Sequence, residues 1–157
     1  MPFIRGMPKL MDIPSQEGTY ILFLQLAQSQ SIYVGRYGVQ HFPLGIYAYA
    51  GSALGKGGLS ARLKHHLEQP KKPHWHIDWV RPFMQWVGLY YETSSLSTEC
   101  TWSKRLSKFP GSQVIIPGFG ASDCGQGCPA HFYRFKNDVF DPSHFAHILY
   151  DKEVFAL

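Results

Sequence analysis

Apolar residues fall in three short runs before residue 54. "TYILFLQL", Thr19 to Leu26, is apolar at most positions, the pattern of a buried strand. "IYVGRYG", after an "AQSQS" turn, is a second strand candidate, followed by a loop with Pro43. "GIYAYAGSA" alternates, with Tyr47 and Tyr49 on one face and Ile46, Ala48 and Ala50 on the other. The simplest arrangement is an antiparallel meander of three strands, preceded by a lead-in over residues 1–17.

Beyond the "LGKGG" loop the period changes. In "LSARLKHHLEQ" Leu59, Leu63 and Leu67 recur at i, i+4 and i+8, which predicts a helix with one apolar stripe, ended by Pro70. Arg62 and His66 are also i and i+4 and share a different face. "PHWHIDWV" leads into "FMQWVGLYYE", read as a strand. "STECTWSKRLSKF" is a short helix with Ser97 as N-cap. "QVIIPGFGASDCGQGCPAHFYRF" is strand, glycine-rich loop and strand, and a helix is placed around Phe145 to Tyr150. Strands mixed with helices in this order give an α+β fold, a small antiparallel sheet flanked by helices.

At 157 residues the chain is expected to form one domain, 1–157, with no room for a second. A hydrophobic share of 45% is enough to fold, which excludes a disordered tail. The net charge of +4 permits a polyanionic partner without demanding one. Three cysteines, an odd number, argue against a disulfide framework and for a reducing compartment. No apolar run is long enough to span a bilayer, and "MPFIRGMPKLMDIP" has no signal-peptide core, so the expected setting is cytoplasmic, without a membrane partner.

Two Tyr-x-Gly triplets, Tyr33-Val34-Gly35 and Tyr49-Ala50-Gly51, follow a Gly-x-Tyr triplet at Gly18-Thr19-Tyr20. Only the second is followed by a helix, and that helix carries Arg62 and His66. Together with "YAGSALGKGGLSARLKHHL", "HWHIDWV", "STECTWSKRL" and "GFGASDC…C…H", these residues resemble the GIY-YIG endonuclease superfamily from Gly18 to about Phe135. The likeness is closest to an uncharacterised branch found alone or fused to endonuclease III-type DNA glycosylases. Thr19 and Ala50 stand where the family pattern has isoleucines, and the Tyr33 strand is an insertion. Gly45-Ile46-Tyr47 is then a decoy.

The resemblance implies Mg²⁺-dependent (or Mn²⁺-dependent) hydrolysis of DNA phosphodiesters, leaving a 3′-hydroxyl and a 5′-phosphate, in a DNA-processing or repair setting. Tyr20 and Tyr49 would hold water and phosphate, one of them as base. Arg62 would neutralise the phosphate, His66 would bond it or relay a proton, and Glu99 would hold the metal, with Glu17 and Glu92 as competing carboxylates. Lys64, Lys71, Lys72, Lys104 and Arg105 are candidates to grip flanking phosphates. RNA is a further candidate substrate, and a repair protein a candidate source of specificity. The alternative is a non-catalytic nucleic-acid-binding module that keeps the fold. A zinc-stabilised protein-interaction domain is a third reading.

Two motifs stand apart. "HWHIDW" reads as mainly structural, with His76 and Asp78 as a pair and His65 facing solvent. Cys124, Cys128 and His131 offer part of a zinc set, completed by Cys100 or Asp123. The paired spacing of zinc fingers is absent, so buried thiols are the favoured reading over structural zinc. The four tryptophans are expected in the core.

Overall fold

Strand β2 (Gly18–Leu26) organises the molecule. The computed structural model describes residues 3–68, 72–121, 124–136 and 141–142; Lys71, Asp123 and the Phe145–Tyr150 helix lie outside them. β2 is buried along nearly its whole length because it is covered on both faces and paired on both edges. It pairs antiparallel with β5 (Gly45–Ala53) on one side and β6 (Gln85–Thr93) on the other. β1 (Phe3–Arg5) adds to β6 and β7 (Phe132–Phe135) to β5, giving the order β1-β6-β2-β5-β7. The fold is α+β, an antiparallel sheet flanked by helices.

The three-strand meander is corrected. Among the described residues β3 (Gln30–Tyr33) and β4 (Val39–Phe42) pair only with each other, as a separate two-stranded sheet. The chain leaves the main sheet after Leu26, turns through this hairpin and returns at Gly45, so that Leu26 lies opposite Gly45. The lead-in is more ordered than a plain extension, since it supplies β1 and a 3₁₀ turn at Leu10–Asp12. The strand expected near Val114 is reduced to a single bridge, Gln113 to Arg134.

Side-chain alternation sorts the core into two layers. Tyr20, Leu22, Leu24, Tyr47 and Tyr49 share a layer with Leu59 and Leu63 of α1 (Gly58–Glu68) and Ile77 and Val80 of α2 (His76–Val80). Ile21, Phe23, Ile46, Ala48 and Ala50 face the other way, against Trp102 and Leu106 of α3 (Glu99–Lys108). Trp102 and Trp86 are core residues, whereas Trp75 and Trp79 are only partly buried. Ser97 Oγ accepts the Glu99 N–H at 3.3 Å at the start of α3, although Thr98 occupies the cap position. Among the described residues no helix is long and apolar enough to cross a membrane.

One detail of pairing positions the site. β7 accompanies β5 only as far as Tyr49 opposite Phe132, with one further bond from the Ala50 N–H to the His131 carbonyl. Beyond it, β5 runs on to Ala53 with no strand paired to that edge among the described residues. Groups from both faces of the sheet reach this open end.

Candidate functional site

A cleft of about 500 Å³ opens at the uncovered end of β5. Tyr49, Arg62 and Glu99 line it, together with Ser52, Trp75 and His131. α1 and α3 pack on opposite faces of the sheet, yet Arg62 and Glu99 meet in one cleft because β7 ends its pairing with the strand between them at Tyr49. Tyr20 and His66 do not line it. They lie beneath, essentially without solvent exposure, and the Tyr20 oxygen is 2.6 Å from His66 Nε2. The rings of Tyr20 and Tyr49 are 6.4 Å apart, and that of His66 is 5.5 Å from Tyr20 and 5.9 Å from Tyr49. The five residues form two tiers, three at the cleft and two under it.

The glycine of Tyr49-Ala50-Gly51 has a steric reason. Register puts Gly51 opposite Tyr20, and a Cβ on it would come within 2.5 Å of the Tyr20 hydroxyl. Gly120 (φ +72) meets two demands at once: a left-handed backbone, and a close pass over Tyr49, whose ring would lie 2.9 Å from an added Cβ. Its N–H donates to His76 Nδ1 at 2.9 Å.

Burial sets the protonation of the floor. It pushes the Tyr20 phenol far above its usual value, an effect that the Arg62 charge offsets in part and Glu99 reinforces. It raises Tyr49 in the same way, with Tyr20 and Glu99 adding to the rise. Burial lowers His66 to about 3, against the pull of Asp78. At neutral pH the pair beneath the cleft is therefore a neutral phenol and a neutral imidazole, and Tyr49 carries its proton. His66 Nδ1 is buried without a protein partner.

The cleft's cation is held from behind. Asp78 Oδ2 accepts the backbone N–H groups of His74 at 2.8 Å and Trp75 at 2.9 Å, and lies 2.9 Å from His65 Nε2. These bonds fix Trp75, and the Arg62 guanidinium lies over its ring at 4.0 Å. Asp78 is thus partnered with His65 rather than His76, and His65 is tied down rather than free in solvent. A smaller recess of about 220 Å³ shares Arg62 and Trp75 with the main cleft and continues to Lys56.

Glu99 is held at both oxygens. Oε2 accepts the Ser52 hydroxyl at 2.9 Å, and Oε1 lies 2.9 Å from His131 Nδ1. Burial lowers His131, but the Glu99 bond and charge outweigh it and leave the imidazole raised. Its other nitrogen, Nε2, faces the thiols, 3.8 Å from Cys100 Sγ, which is 3.3 Å from Cys124 Sγ. The ligand atoms of Cys100, Cys124, Cys128 and His131 all lie within 4.8 Å of one another. Burial works against ionisation of Cys124, yet backbone N–H groups of Gln126 and Cys128 hold its thiol below the usual range. Burial and the hydrogen bond to Cys124 raise Cys100.

The remaining candidates fall elsewhere. Lys64 is exposed and paired with Glu68 at 3.8 Å. Lys72 and Lys104 are exposed and Arg105 is half-buried, and none of the four lines the cleft. Glu17 and Glu92 are also outside it. Tyr33 is 56% exposed and stands edge-on to Trp79. Tyr47 stacks on Phe132 and donates to the Pro43 carbonyl at 2.6 Å, a core residue as its decoy status implies. Two lining residues are not among the sequence candidates: Ser52, whose place directly after the Tyr49 triplet is the available signal, and Lys56, which sits in the "LGKGG" loop.

Residues 19–152 match a family described as a domain of unknown function, DUF123, and the chain belongs to that family. No curated protein and no solved structure matches it.

Proposed function

We propose that this member of the family is a metal-dependent endonuclease that hydrolyses phosphodiester bonds in DNA, with the cleft at the end of β5 as its active site. The observation that carries the reading is the meeting of Arg62, Tyr49 and Glu99 in one solvent-open cleft, although they come from both faces of the sheet. The likeness of these residues to the GIY-YIG pattern supports the same reading.

A phosphodiester in the cleft would lie against the Arg62 guanidinium, already oriented by Trp75. Fixed positive charge of this kind favours the doubly charged transition state over the ground state. Tyr49, protonated at neutral pH, donates a hydrogen bond to a phosphate oxygen or the attacking water. Tyr20 and His66 share a hydrogen bond at 2.6 Å as two neutral groups, so the floor carries no charge beneath a bound substrate. Glu99 fits a divalent ion. It lines the cleft, and its two oxygens each hold one hydrogen bond and keep lone pairs for a further partner. A single carboxylate with waters and substrate oxygens is an ordinary Mg²⁺ set, and the bound ion would supply Lewis acidity at a phosphate oxygen.

One observation favours the rival reading, a binding module without turnover: Tyr20 has no exposed surface and cannot touch a water in this conformation. A panel of labelled duplex, flap and single-stranded DNAs with Mg²⁺ or Mn²⁺ separates the two. Cleavage by wild type is expected, with Glu99→Gln and Arg62→Ala each reduced about 10²-fold or more. Excess Mn²⁺ should partly rescue Glu99→Gln and leave Arg62→Ala unrescued. Binding without cleavage would establish the module instead. Cleavage unaltered in both variants would remove the cleft from the reaction.

A further inference from the structure

We infer that Cys100, Cys124, Cys128 and His131 form a structural zinc site in the wall of the cleft, and that Glu99 is the carboxylate that orients its histidine. The inference goes beyond the nuclease reading and does not depend on it.

The spacing of the donor atoms suits a tetrahedral set. With Zn–S bonds of about 2.3 Å, ligand atoms around zinc are separated by roughly 3.8 Å. Here Cys100 Sγ lies 3.3 Å from Cys124 Sγ and 3.8 Å from His131 Nε2, and all four donor atoms fall within 4.8 Å. The donors come from two distant pieces of chain. Cys100 sits in the first turn of α3, and the other three sit in the glycine-rich segment that leads into β7. Chance proximity of every cysteine in the chain is a poor account of that meeting, and none of the three is disulfide-bonded.

The histidine is prepared for a metal. Its Nδ1 is taken by Glu99 Oε1 at 2.9 Å, which fixes the Nδ1–H tautomer and leaves the Nε2 lone pair aimed at the thiols. A carboxylate behind a ligating imidazole is the usual outer-shell partner at zinc. Three soft thiolates and one imidazole favour zinc over magnesium or calcium, and four protein ligands leave no open position, so the site is structural. Each thiol releases its proton on coordination, His131 releases the Nε2 proton wherever it carries one, and no electrons are exchanged. By pinning Cys100 to the loop, the metal would also hold Glu99, the neighbouring residue, at the cleft.

The test needs no nucleic acid. The full chain is purified without an immobilised-metal column and analysed for bound metal. About one zinc per chain is expected, displaced only by strong chelators. Cobalt reconstitution should give the intense visible bands of a tetrahedral thiolate site. Cys124→Ser with Cys128→Ser should abolish both signals. Glu99→Gln should still load at excess zinc but bind roughly 10- to 100-fold more weakly. Because the double variant risks misfolding, wild type carries a second readout: thiol reactivity toward a disulfide reagent should fall on adding zinc and return with chelator. Wild-type thiols that react equally with and without zinc would overturn the inference. So would a chain that stays metal-free after reconstitution, or a Cys100–Cys124 disulfide that persists in reductant.

Discussion

The chain contains the same Tyr-x-Gly motif twice, and the two copies have opposite fates. Tyr33-Val34-Gly35 closes a small hairpin. Its tyrosine is 56% exposed, and its glycine turns the backbone left-handed at φ +47. Tyr49-Ala50-Gly51 lies inside the main sheet, its tyrosine 4% exposed and its glycine covered by Tyr20. The letters are nearly identical, and the register is what differs. Tyr49 stands one diagonal step from Tyr20 across the β2–β5 ladder, whereas the hairpin is paired with nothing in that sheet. A short motif acquires chemistry only when strand pairing brings a second motif to it.

The largest expected difference is in turnover, and it rests on the proposed nuclease function. Tyr49→Phe removes the phenolic hydrogen bond that the described residues offer in the cleft and should lower cleavage about 10²-fold. Tyr33→Phe should leave the rate unchanged. Rates measured side by side under single-turnover conditions decide it. Equal losses would erase the contrast, and a loss confined to Tyr33→Phe would reverse the choice of triplet.

The glycines should separate next, in stability. An Ala at position 51 would press its Cβ to 2.5 Å from a hydroxyl that is fully buried and already bonded to His66. Neither strand can move aside without breaking the ladder, so Gly51→Ala should cost about 2–3 kcal/mol. Gly35→Ala meets Trp79 at 3.1 Å and a left-handed φ, on a hairpin at the surface. About 1–2 kcal/mol is expected there. Urea denaturation of the two variants gives the comparison, and a costlier Gly35 would mean that the hairpin supports the fold more than its pairing implies.

What could be read from the sequence tracks how local the signal is. The alternation that put Tyr47 and Tyr49 on one face and Ala48 and Ala50 on the other is a property of a single strand, and it holds. So does the Leu59–Leu63 stripe, which located Arg62 one position from the core. The pairing of β2 with β5 is not local. It skips the hairpin, and nothing in "IYVGRYG" distinguishes a strand that stays in a sheet from one that leaves it. Nor does sequence carry depth: the same pattern that identified Tyr20 gave no sign that it would lie under the cleft rather than in it. Cys100 was one of two candidate fourth ligands, and only the packing of α3 against β5 and β7 brings it to Cys124. The bond from His131 to Glu99 joins residues 32 positions apart, and no spacing rule reaches that far.

The last effect is graded with pH, and it probes the floor under Tyr49 directly. His66 is held near 3 by burial, against about 6.5 in an unfolded chain. Between those values the unfolded state binds a proton that the folded state refuses. Stability from this group is therefore complete above about pH 6.5 and is lost as pH falls toward 3, by up to about 1.4 kcal/mol per pH unit. His131 works in the opposite sense. Its raised value gives stability that is present below about pH 6.5 and fades as pH rises through the folded value, unless a bound metal replaces the proton. Replacing His66 isolates its share. His66→Gln keeps a polar group for Tyr20 but has nothing to titrate, so it should be less stable at pH 7 and flatter between pH 6.5 and 4.5. Thermal melts across that range, with zinc held constant, provide the measurement. If wild type and His66→Gln lose stability in parallel on acidification, the imidazole under Tyr49 is solvated in solution. The Tyr49 triplet would then be less sheltered than its contrast with Tyr33 requires.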